Sequence, residues 1–155
     1  MLYLRFLALV VLLNIARYAG GWVFEPHIIF PGLFGAMSAE PEYFRTAFET
    51  IDWVTSYFYN FVMWLVAALV FHLLRPVLSG SDLVASLKSY GIMWLNFAAV
   101  SAIYMNHYSH SRTFYFWNIL DGLLVFTLVA VATALLYRPL MGPWAKNPAM
   151  AGDVT

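Results

Sequence analysis

The sequence predicts an all-α integral membrane protein with four transmembrane helices. Three observations lead there. The chain's 155 residues are 63% hydrophobic and only 10% charged, against about 45–50% and 25% in soluble domains. A water-soluble fold of this size cannot cover so much apolar surface, so lipid must be part of the solvent. Four apolar stretches approach the length needed to cross about 30 Å of hydrocarbon at 1.5 Å per residue. Aromatic residues make up 19% of the chain and mark the starts of spans, as interfacial belts do.

The first span is expected over residues 2–19. Its "FLALVVLL" run after Arg5 has the form of a signal peptide, but Arg17 and Tyr18 stand where small cleavage-site residues would be needed, so it reads as a retained helix. Arg5 and Arg17 must snorkel or find partners. The second span covers residues 53–74, opening on Trp53, Tyr57 and Tyr59 and stopping at "RPVLSGSD". The third, residues 90–106, is short. The fourth, residues 114–137, ends at "RPLMGP". Residues 1–140 thus form a single bundle, and 141–155 a flexible polar tail.

With both termini cytoplasmic, Arg5, Arg75, Lys88, Arg138 and Lys146 lie inside, and Arg17, Arg45 and Arg112 outside. Five against three favours that orientation, and a bacterial cytoplasmic membrane is the expected location. Equal numbers of acidic and basic residues, eight each, give no charge for binding nucleic acid. The absence of cysteine excludes disulfides, iron–sulfur clusters and c-type haem attachment.

The connection from residue 20 to residue 52 is the unusual segment. "GGWVFEPHIIFPGLFGAM" is apolar but broken by Pro26, Pro31 and several glycines, so it is expected not to be a spanning helix but a broken outer loop on the membrane surface or over the bundle. "PEYFRTAFETID" places Phe44, Phe48 and Ile51 at helical spacing. A short amphipathic interfacial helix is expected there, facing the membrane surface or a partner subunit.

Several polar residues share the outer half. His107 and His110 in "HYSH", with His27 and Glu25 from the loop, form a candidate set for a transition metal at the outer face. Interfacial histidines bonded to water or backbone explain the same pattern more simply. His72 lies near the inner end of its span and His107 near the outer end of another, so the two cannot share a haem, and a b-type cytochrome is argued against. Asp121 lies roughly 10 Å into the fourth span by helical rise. An acid there costs about 2.5–3.5 kcal/mol on insertion scales and needs a partner. Arg17, Arg112 and His107 are candidates, with Asn118 one turn away and an Arg17–Asp121 ion pair preferred. Asn14, Asn60 and Asn96 are expected to hydrogen-bond between helices.

These features point to a small non-catalytic subunit that scaffolds, stabilises or regulates a larger membrane complex. Its expected partners are the bilayer and other membrane subunits, or further copies of itself. The alternatives are a metal-binding membrane enzyme or carrier, and an oligomeric proton or ion channel or small transporter.

Overall fold

The structure, a computed structural model, describes residues 2–44, 47–108 and 111–142. It is all-helical among those residues, and four helices are long and apolar enough to span a membrane. They suggest an integral membrane protein.

Helix α1 (Leu2–Phe24) continues through a π-helical turn, Glu25–Ile29, into α2 (Phe30–Ser38). α3 spans Thr50–Leu74, α4 Asp82–His107 and α5 Arg112–Met141. The segment expected to be a broken loop is therefore helical as far as Ser38. Its prolines change the hydrogen-bond pattern without ending the helix. A proline ring inside an α-helix collides with the carbonyl four residues back. Here the Phe30 amide donates to Glu25 O, five residues back. That wider turn accommodates Pro26 and Pro31 in one rod. At 37 residues, the rod rises about 55 Å, well beyond a hydrocarbon layer of about 30 Å.

The other boundaries also move. α4 begins eight residues earlier than expected, where Ser81 Oγ accepts the Val84 amide at 3.3 Å as an N-cap. α5 runs past Pro139 to Gly142, whose φ of +84° is the left-handed conformation that suits a glycine helix stop. The amphipathic helix expected around Phe44, Phe48 and Ile51 does not form among the described residues. Residues 41–44 are turn and bend, Arg45 and Thr46 lie outside the described residues, and a Glu49–Asp52 capping box starts α3. Phe44 packs on Phe114 instead, with ring centroids 4.7 Å apart, and Phe48 packs on Trp53. Glu40 Oε2 accepts the Ser111 amide at 2.8 Å, tying the segment after α2 to the α4–α5 connection.

α5 is the central helix. α1 and α2 run antiparallel along it, with Gly20 against Leu128 and Gly32 against the Trp117 indole. α4 packs along another side of α5, and α3 sits mainly against α1. The near end of the bundle is where α1 and α4 start and α3 and α5 stop; the opposite end is the far end. Core side chains concentrate toward the near end. Trp64, Phe71, Tyr90, Phe126 and Tyr137 form a run of edge-on and tilted ring contacts, flanked by Leu9, Val10 and Leu13 of α1.

Candidate functional site

The two ends handle their polar groups differently. At the near end, Asp82 accepts from Arg75 Nε at 2.9 Å and Arg75 Nη2 at 2.6 Å, and its second oxygen meets Arg138 Nε. Arg75 also donates to Leu78 O at 3.1 Å. His72 Nδ1 lies 2.6 Å from the Tyr137 hydroxyl. Thr133 Oγ1 donates to the Tyr90 hydroxyl at 2.9 Å. The sequence reading overlooked Asp82; its signal was an acid following an N-cap serine seven residues after a post-helix arginine.

At the far end, Arg17, Asn60, Asn118 and Asp121 line a cavity of about 210 Å³ together with Met63, Phe97, Gly122, Val125 and Phe126. The cavity is partly open to the outside of the bundle. Each polar side chain arrives from a different place: Arg17 from α1, Asn60 from α3, and Asn118 with Asp121 one turn apart on α5. Gly122 lets Phe97 of α4 come close enough to form part of the wall. Asp121 lies 17 residues before Arg138 on α5, about 26 Å along the axis. The cavity therefore belongs to the far part of the apolar span.

Arg17 does not pair with Asp121, as the sequence suggested. Its Nη2 lies 2.8 Å from Glu25 Oε1, and the Glu25 side chain is only 8% exposed. Two helical turns separate these residues. Gly21 stands between them, and a Cβ on it would come within 2.9 Å of the Glu25 carboxylate. The missing side chain lets the carboxylate fold back along the helix toward Arg17. The guanidinium also lies 4.8 Å from the Tyr18 ring centroid. The pair is close but poorly aligned: Arg17 Nε and Glu25 Oε1 have no hydrogen-bond partner among the described residues, and neither has the buried Asp121 Oδ1.

One guanidinium thus faces two carboxylates. Asn60 Nδ2 donates one hydrogen to Ser56 O at 3.1 Å, which leaves its second N–H and its amide oxygen. Asn60 and Asn14 both bond within their own helices and Asn96 is exposed, and none of the three makes an interhelical hydrogen bond among the described residues. The cavity holds acceptors on Asp121, Asn60 and Asn118 beside the Arg17 guanidinium, whose Nε meets no acceptor among the described residues.

The remaining sequence candidates lie elsewhere. Arg112 is exposed at the start of α5, nine residues from Asp121, about 13 Å along the helix. His27 is exposed in the π-helical turn. His107 is exposed, with Nδ1 2.8 Å from Ile103 O, and His110 lies outside the described residues. Among the described residues no group of three or more His, Asp or Glu side chains is close enough to hold a metal ion. Comparison with known protein families, with curated proteins and with solved structures finds no match.

A second feature is the far half of α3. Residues 53–59 are exposed on every side of the helix, with Tyr57 reaching Tyr18 at 5.3 Å between ring centroids. Between α1 and α3 an apolar groove of about 470 Å³ is lined by Val11, Ile15, Tyr18, Trp22 and Phe61.

Proposed function

We propose that this chain is a small non-catalytic integral membrane subunit that acts by lateral association with other membrane proteins or with copies of itself. Both termini are assigned to the cytoplasm on the charge bias between loops. The observation that carries the reading is the far half of α3. Two turns of aromatic helix leave every face open, whereas the near half of α3 buries Trp64, Ala67, Ala68 and Phe71. A helix held at one end and open at the other presents a surface for helices from another chain. In lipid such contacts rest on close packing and interhelical hydrogen bonds, and Thr55 and Ser56 add small polar groups to that surface.

The channel reading draws support from the far-end cavity. Against passage through one copy stand the aromatic residues that fill the near-end core between α1, α3, α4 and α5.

A photo-crosslinking amino acid at Phe58, compared with one at the exposed Leu135 of α5, tests the proposal in native membranes. Discrete protein adducts from position 58, and lipid adducts alone from 135, are expected. Lipid adducts alone from both positions would refute it.

A further inference from the structure

We propose that the far-end cavity binds a small alkylammonium cation, with its nitrogen on Asp121 and its hydrocarbon part against Phe97 and Phe126. The inference concerns the cavity alone and does not depend on the subunit reading.

Charge sets the sign of the ligand. Among the described residues Arg17 is the only cation lining the cavity, and Glu25 already accompanies it at 2.8 Å. Asp121 remains, with a buried oxygen that no donor reaches among the described residues. An uncompensated carboxylate at this depth is unfavourable, so the cavity favours a positive group that can donate hydrogen bonds. An anion would face two carboxylates against one paired guanidinium.

The walls select the kind of cation. A bare metal ion exchanges its water shell for several oxygen ligands. The cavity offers one carboxylate and two side-chain amides beside the Arg17 guanidinium, and its other lining groups are hydrocarbon, aromatic or thioether. A primary ammonium needs only two or three acceptors, which Asp121, Asn118 and Asn60 supply from α5 and α3. Its short carbon chain is then buried against Phe97, Phe126 and Val125. The volume of about 210 Å³ is enough for an amine with a few carbons.

The π-helical turn contributes independently. Such turns recur at functional sites. This one begins at Glu25, so it sets the direction of the carboxylate that holds Arg17 at the cavity.

Calorimetric titration of the detergent-solubilised full chain at low salt tests the proposal, with n-butylammonium, n-butanol and potassium as probes. Butylammonium is expected to bind saturably, butanol at least tenfold more weakly, and potassium without measurable heat. Asp121→Asn, which keeps the side-chain volume, is expected to weaken butylammonium binding at least tenfold while its far-UV circular dichroism stays that of the parent. Phe97→Leu is expected to weaken butylammonium while leaving methylammonium unchanged. Three outcomes would overturn the proposal: no saturable butylammonium binding, equal affinity in Asp121→Asn, or equal competition by potassium.

Discussion

Asp82 and Asp121 are both carboxylates set among apolar helices, yet their surroundings differ in kind. Asp82 receives two nitrogens of Arg75 and a third from Arg138, and lies beside a core of interlocked aromatic rings. Asp121 borders a cavity, has an oxygen that no donor satisfies among the described residues, and shares the neighbouring Arg17 with Glu25. Removing one partner from a satisfied buried pair strands the other charge and is costly. Removing a charge that is only partly compensated relieves a cost. The near end is therefore the part that holds the bundle together, and the far end is where polar chemistry remains available.

Several substitutions sharpen or break that contrast. The largest effect is expected from Phe71→Ala, which deletes a fully buried ring from the near-end cluster and should lower unfolding free energy in detergent by about 3 kcal/mol. Phe58→Ala on the exposed far half of α3 should change it by less than about 0.5 kcal/mol. Comparable losses at both positions would remove the distinction.

Arg17→Leu should cost about 2–3 kcal/mol, because it leaves Glu25 and Asp121 together without a cation. Adding Glu25→Gln should restore at least half of that loss, a coupling readable from a double-mutant cycle. Additive losses would show that the 2.8 Å contact carries no energy.

Gly32→Ala is expected to cost about 1–3 kcal/mol through overpacking against Trp117, and Trp117→Leu should relieve it. Gly35, with open space around its Cβ position, should accept alanine at no cost. The smallest effect belongs to His107→Ala, within about 0.5 kcal/mol. A larger loss that metal addition rescues would revive the metal reading.

What was legible in the sequence divides along the same line. The second and fourth spans were readable from apolar length and flanking punctuation, because lipid-facing and core residues alike are apolar in a membrane helix. The stretch from Gly20 to Ser38 was not. Proline and glycine report the local cost of an α-helical turn, and the chain avoids that cost by widening one turn to five-residue spacing. The five-residue separation of Pro26 and Pro31 was the available clue. Asp121 stands out in the sequence as an intramembrane acid, and in the structure Arg17 and Asn118 line the same cavity. The identity of Arg17's partner was hidden, because the Arg17–Gly21–Glu25 arrangement matters only once the helix is known to run through Gly21. Asn60 joins the cavity through the mutual rotation of α1, α3 and α5, which no single helix's sequence specifies.

The most direct measurement compares Asp82→Asn with Asp121→Asn by reversible unfolding in the same detergent. Asp82→Asn is expected to lower stability by about 3 kcal/mol, having left Arg75 with a neutral partner, whereas Asp121→Asn should equal or exceed the parent. The opposite order, with Asp121→Asn the more damaging, would contradict the division between a stabilising near end and a far end whose carboxylate is left unsatisfied.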